Sequence, residues 1–283
     1  STPNSSESTS SNNLVAELLL KIFSIGDDAA GQFREGGECD HLLEFMDQTG
    51  DLKWIDLKSL EEHNEKLSFF LNLYHLMILH AHLLLGSPGN SLKSTGYYNG
   101  LSYEVGDDVI SLVELEHAIL RAPMTRPRQF LAKYIFPSWK YSIALTIPEP
   151  RINFALSCGS LSGVSFVPIY KPDSLDWQLE ISSAYYLNST VEVLPSKLTV
   201  VLPKMLYWYR DDFGASFNQV LGSIARYLKA NKRKELQHML SVAENSISVK
   251  FHRFRWECKR LRYLTTDALE ENEQSFRNGK LKH

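Results

Sequence analysis

The sequence predicts an α+β fold, a helix-rich single domain with a small, mostly antiparallel sheet. Three observations carry that prediction. The segment NEKLSFFLNLYHLMILHAHLLLG, closing at Gly86, is apolar on nearly every face and reads as a buried central helix. The segment STVEVLPSKLTVVLPKML alternates in polarity and breaks at Pro195, the pattern of a β-hairpin. Helical patterns lie in front of and behind these strands, an arrangement expected of α+β proteins.

Taken in order, the chain opens on STPNSSESTSSNN, which has no apolar residues to bury and is expected to be a disordered linker over residues 1–13. Asn13 is positioned to cap LVAELLLKIFSIG, where Leu14, Leu18, Ile22 and Phe23 share a helical face. DHLLEFMDQTG is a second short helix stopped by Gly50, so residues 14–66 form an N-terminal helical extension. The core spans residues 67–214. After the central helix, a strand or hairpin is expected at Tyr97 to Val105, then a helix from Leu112 to Arg121 closed by Pro123. The proline-rich stretch TRPRQFLAKYIFPSWKYSIALTIPEP reads as irregular. A helix capped by Ser174 covers SLDWQLEISSAYYLN, the hairpin follows, and YWYRDDFG is a short helical piece ending at Gly214. Residues 215–266 supply amphipathic helices and a late strand over ISVKF and RFRWE, and residues 267–283 a frayed polar tail. No internal repeat is visible.

Composition narrows the function. With 283 residues, 43% of them hydrophobic and 22% charged, the chain can bury a substantial core. A net charge of −3 argues against a nucleic-acid binder. The three cysteines, Cys39, Cys158 and Cys258, are far apart and form no CxxC pair, so neither a disulfide framework nor a zinc site is expected and a cytoplasmic setting is. The most apolar run is broken by His80 and His82 and is too short to span a bilayer, so no transmembrane segment is expected. The chain does not begin with Met and is read as part of something longer. No nucleotide loop, GxSxG elbow or metal motif is present, so no cofactor is expected.

Six stretches, FFLNLYHLMILHAHL, VELEHAILRAP, EPRINFALSCGS, PIYKPDSLDWQL, YYLNS and LPKMLYWYRDDFG, follow one another in the order found in the domain of unknown function 547 family. The chain resembles that family over roughly Leu67 to Gly214. The resemblance implies recurring polar positions at Asn72, Tyr74, Glu116, His117, Arg121, Arg151, Cys158 and Gly159. Relatives often carry a second Cys before Pro in the third motif. Here the text is CGSLSGVSFVP, with Gly163 at that place, so a two-thiol chemistry cannot apply.

Each of these residues has a structural and a chemical reading. Cys158 ends an apolar run, and free cysteine ordinarily packs as a small hydrophobe. As a nucleophile it would need an activating partner, with backbone N–H groups at Gly159 and Ser160 approaching an oxyanion. His117 is the base that would pair with it, sharing a helix face with Arg121. Asn72 and Tyr74 sit in an apolar helix and require hydrogen-bond partners. Asn72 either orients a catalytic histidine or ties down a loop carbonyl. His75 and His82 share a face, but no further ligand joins them as a metal site. Arg151 is expected to pair with Glu116, and Asp211 and Asp212 to cap or pair with arginines. Lys229 to Lys234 form a basic helix face, normally solvated, with a weak affinity for acidic surfaces as the minority reading.

Two functions follow. One is a regulatory or interaction domain without chemistry, for which a protein partner is expected. The other is a cysteine-dependent hydrolase or transferase acting on an amide, isopeptide or thioester bond, whose helical and sheet sides would suit a cysteine-protease-like layout by analogy. The base rate for buried cysteine favours the first.

Overall fold

The fold is a computed structural model that describes residues 5–25, 35, 37, 40–86, 96–98, 100–124, 142–243, 246–257, 259 and 261–277. Its backbone hinges on helix α3 (His63–Leu85). This helix begins in a capping box, where the Glu62 side chain accepts from the third helical N–H and Glu65 accepts from the Glu62 N–H, and it stops at Gly86 with φ of 72°. Fifteen of its residues are buried, from Leu67 through Leu83, on every face of the cylinder. By length and composition α3 could span a bilayer, but most of its apolar stretch lies inside this protein.

Helix α1 (Ser5–Ser24) packs along α3, and α2 (Asp40–Thr49) packs against α1. Helix α1 is nine residues longer at its start than the Asn13 cap predicted, so residues 5–13, read above as a linker, are helical. Asn12, one residue before the expected cap, is buried, with its carboxamide oxygen accepting from Ser68 Oγ at 3.0 Å. Within the 14–66 extension, Val15, Leu18, Leu42 and Phe45 belong to the same apolar cluster as α3.

Strands β1 (Ser102–Val105) and β2 (Asp108–Ser111) form an antiparallel hairpin, one strand further along than the sequence placed it. Gly106 opens its two-residue turn at φ of 59°, and a Cβ there would lie 2.6 Å from the Ile55 carbonyl oxygen. Only glycine meets both conditions. Ser111 then caps α4 (Leu112–Glu114), which continues as a π-helix over Leu115–Leu120. Helix α5 (Ile152–Ala155) precedes Cys158, and β3 (Phe166–Val167) follows it. Helix α6 (Leu175–Thr190) is buried on two faces, with Leu175 and Leu179 in the α3 cluster and Ala184, Tyr186 and Leu187 in a second one.

That second cluster is covered by β4 (Glu192–Leu194) and β5 (Thr199–Leu202), by the short α7 (Met205–Trp208), and by α8 (Phe217–Ala225), α9 (Ala230–Ala243) and β6 (Ser248–Phe251). The α+β class holds. Its strands fall into three small sheets: β1–β2, the sheet β4–β5–β6, and a pairing of β3 with β7 (Arg262–Tyr263). β4 and β5 form the hairpin expected around Pro195, while β5–β6 and β3–β7 are parallel. The tail is helical rather than frayed, as α10 (Thr266–Arg277) buries Leu269 against Ile181. The late strand stops at Phe251, and RFRWE lies outside it. Cys39, Cys258 and most of the proline-rich stretch lie outside the described residues.

Because α3 is enclosed on all sides, Leu76→Ala or Ile78→Ala is expected to cost about 2–5 kcal/mol through cavity formation. Urea titration of each variant measures this, and an unchanged midpoint would contradict the enclosed position of α3.

Candidate functional site

Besides Ser68, which holds Asn12, the polar residues of α3 reach outward to four further segments. Asn72 clamps a loop: its Nδ2 donates to the Tyr170 carbonyl at 2.8 Å, and its Oδ1 accepts the Tyr170 N–H at 2.9 Å. Both ends of the amide are engaged by one residue's main chain, which ties the Tyr170 segment to α3. His75 Nε2 accepts the Ser157 N–H at 3.3 Å. Tyr74 OH donates to Glu116 Oε2 at 3.3 Å. His80 Nδ1 meets the Tyr103 hydroxyl.

Glu116 is the meeting point of the second motif. Its other oxygen accepts from Tyr209 OH at 3.1 Å, and His117 Nε2 lies 3.9 Å from the same oxygen. Burial pushes the Tyr74 and Tyr209 hydroxyls well above the usual phenol range, and the Glu116 charge adds to both shifts. Both phenols therefore stay protonated and act as donors. The π-helix sets this spacing: Arg121 N–H bonds back five residues to the Glu116 carbonyl at 2.9 Å. His117 and Arg121 therefore do not follow the α-helical face-sharing expected of an i, i+4 pair.

Arg121 instead turns to a buried ion pair. Its Nη2 donates to Asp212 Oδ2 at 2.5 Å and its Nη1 to Asn153 Oδ1 at 2.7 Å, and the ion-paired side chains are 2% and 1% exposed. Asn153 Nδ2 completes the triangle, donating to Asp212 at 3.0 Å, and the guanidinium lies 3.9 Å from the centroid of the Tyr209 ring. The expectation that Asp211 and Asp212 pair with arginines is met, by Arg210 and Arg121 respectively. The expected Arg151–Glu116 pair does not form. Arg151 chelates Glu149 at 2.6 and 2.8 Å and reaches Asp176 at 2.7 Å, because Glu149 is two residues away and Glu116 is held by two tyrosines.

Cys158 is half-buried. Tyr98 OH donates to its carbonyl at 2.8 Å, and its side chain is near enough to Tyr74, Tyr186 and Lys259 to contribute to their electrostatics. Gly159 is left-handed at φ of 76°, and a Cβ there would sit 2.5 Å from His82 Cε1. Its N–H, the oxyanion candidate, already donates to Ser157 Oγ at 3.3 Å. Ser160 is 2% exposed, and its Oγ faces the Gly163 turn, where an added Cβ would approach it to 3.0 Å.

The loop after Cys158 is bound by a C-terminal strap. Leu161 N–H donates to the Glu257 carbonyl at 2.7 Å, Lys259 N–H to Gly159 O at 2.7 Å, and Arg262 N–H to Ser165 O at 3.0 Å. Lys259 Nζ adds bonds to the Gly163 carbonyl at 2.9 Å and Ser165 Oγ at 2.6 Å. The basic run at 229–234 is also partly structural: Lys232 Nζ donates to the Asn188 and Val191 carbonyls at 2.8 and 2.7 Å, and Arg233 reaches the carbonyls of Ala225 and Leu228 at the end of α8. Among the described residues no three His, Cys, Asp or Glu side chains gather as a metal site.

Residues 57–187 match the model of a family described as "Protein of unknown function, DUF547". Over this span the chain is similar to the DUF547 family. Comparison with curated proteins gave no match, and comparison with solved structures gave none. The match begins twelve residues before the central-helix motif and ends at Leu187, so Tyr209 and Asp212, which complete the Glu116 and Arg121 contacts, lie beyond the matched DUF547 span. Sequence reasoning missed Asn153 and Tyr209. Asn153 stands two residues after Arg151 in an otherwise apolar run, which was its one signal, while Tyr209 is hidden among core aromatics.

Two outcomes follow. Arg121→Met is expected to lose about 3–5 kcal/mol by stranding the Asp212 charge, and Arg121→Met/Asp212→Leu to recover part of that loss, as read by urea unfolding. Burial lowers His75 to about 3 and His80 and His82 to about 4. The unfolded chain takes up protons near the ordinary histidine pKa while the native one does not, so stability is full above about pH 6.5 and falls as pH drops towards about 4. Thermal midpoints across that range measure the fall, and His75→Phe should flatten it.

Proposed function

We propose that this DUF547-containing chain is a non-catalytic protein-interaction module. The engagement of Asn72 carries the reading, because the residue best suited to orient a catalytic histidine has both amide ends committed to Tyr170. The other polar residues support it. Arg121 and Arg151 are bound in ion pairs, Glu116 accepts two phenols, and the Gly159 N–H has an intramolecular acceptor. Such a network fixes loops and gives a rigid surface on which a partner can dock. A cytoplasmic partner protein fits this reading.

A thiol hydrolase or transferase is the second reading. It is favoured by one observation, that Cys158 is half-buried rather than sealed in the core. Alkylation kinetics separate the two. With a non-catalytic module, Cys158 in the folded protein reacts with iodoacetamide no faster than an unactivated thiol, and His117→Ala leaves the rate unchanged. Fast labelling at neutral pH that slows in His117→Ala would replace the module by the hydrolase.

A further inference from the structure

Strand β6 is the edge of the β4–β5–β6 sheet among the described residues. Its register fixes which backbone groups face outward. Ser248 N–H donates to the Leu198 carbonyl at 2.8 Å and His252 N–H to the Leu202 carbonyl at 2.9 Å, so the even-numbered residues bond towards β5. The N–H and C=O of one strand residue point to one side and those of the next to the other. Val249 and Phe251 therefore present theirs along the outer edge.

This edge is cationic. Lys250, Arg253 and Arg255 are all exposed on or just after β6. Among the described residues Arg255 has an acid nearby, Glu257 at 3.9 Å, itself exposed. The same region is aromatic. The Phe251 ring lies 5.3 Å from exposed Tyr207 and 5.5 Å from Phe217, and Lys204 Nζ stands 4.2 Å from the Tyr207 ring. Trp208, Phe254 and Trp256, all half-buried, form a second group with centroids 4.6 to 6.1 Å apart.

Open edges pair with whatever strand has a compatible sequence. Like charges disfavour a second copy of this edge, since Lys250 and Arg253 would face their counterparts. An acidic strand meets complementary charge, and its alternate side chains find aromatic surface. We propose that the β6 edge is the docking site for an extended acidic segment of a partner protein. The segment adds as a strand beside Ser248–Phe251, with carboxylates set against Lys250, Arg253 and Arg255. This deepens the interaction-module reading and rests on it.

The test is to pan a phage-displayed library of random dodecapeptides on the intact protein, and to measure the enriched peptides by fluorescence anisotropy against two variants. Lys250→Glu/Arg253→Glu reverses charge at exposed positions. Val249→Pro removes an outward N–H while leaving the β5 ladder intact. Because Val249 also packs on the second apolar cluster, its thermal midpoint is checked first, and the charge-reversal variant decides the matter alone if the proline variant does not fold. The expected result is enrichment of acidic, proline-poor sequences whose binding weakens about tenfold or more in either folded variant and falls as salt is raised. Enrichment of neutral or basic peptides, no enrichment, or acidic peptides indifferent to the charge reversal would overturn the proposal. So would binding to phosphatidylcholine vesicles with about a third phosphatidylserine in place of peptide binding, which would assign the surface to lipid. A reactive, His117-dependent Cys158 removes the module reading whatever the peptides do, whereas absent peptide binding beside an inert Cys158 removes this surface alone.

Discussion

Burying α3 on every face obliges each polar side chain on it to find a partner inside the protein, because an unsatisfied amide or imidazole would cost several kcal/mol. The rest of the structure is arranged around that obligation. Ser68 holds Asn12 of α1, Asn72 holds Tyr170, Tyr74 holds Glu116, His75 holds the Ser157 amide, and His80 meets Tyr103. Segments separated by up to ninety-eight residues are thus set in register by one helix. Hydrophobic packing alone would tolerate a helix rotated about its axis, whereas five specific pairings would not.

A second hub serves the other side of the core. Arg121, Asn153 and Asp212 come from the π-helix, α5 and the turn after α7, and they close a triangle with almost no solvent contact. A charge pair at that depth is weak evidence of stability, since its desolvation offsets much of the attraction. Its effect is on uniqueness: the fork of the guanidinium accepts one arrangement of Asn153, Asp212 and the Tyr209 ring. Glu116 sits beside this hub yet interacts with neutral phenols. The two acidic positions therefore differ in kind, one neutralised by a cation and one only hydrogen-bonded.

Helical periodicity and apolar content made α3 and α6 legible in the sequence, and Pro195 made the β4–β5 hairpin so. Ser/Thr/Asn content misled at the N-terminus, where composition signals a linker but Asn12 has a buried partner supplied by α3. The same limit applies to the site. That Asn72 needed a partner could be read from its apolar neighbours, but not that the partner was the main chain of Tyr170. Arg151 went to Glu149 because a chelate two residues away requires little chain ordering, while pairing with Glu116 required displacing two tyrosines. The π-helix, which alters the face on which Arg121 lies, has no composition signal in LEHAIL.

The strap over the Cys158 loop bears on how the chain comes together during synthesis. Strand β3 takes its parallel partner from β7, about ninety-five residues later, and the Gly159 and Ser165 carbonyls are met by Lys259 and Arg262. As the polypeptide leaves the ribosome, α3 can collapse against α1 early, since both have emerged. The loop that follows Cys158 has no such option and must wait with its carbonyls in water until residues 257–262 appear. The family-matched span, though it contains Cys158 and the central helix, is therefore not a unit that can finish its own assembly. Its final ordering step is written in residues that arrive seventy positions after it ends.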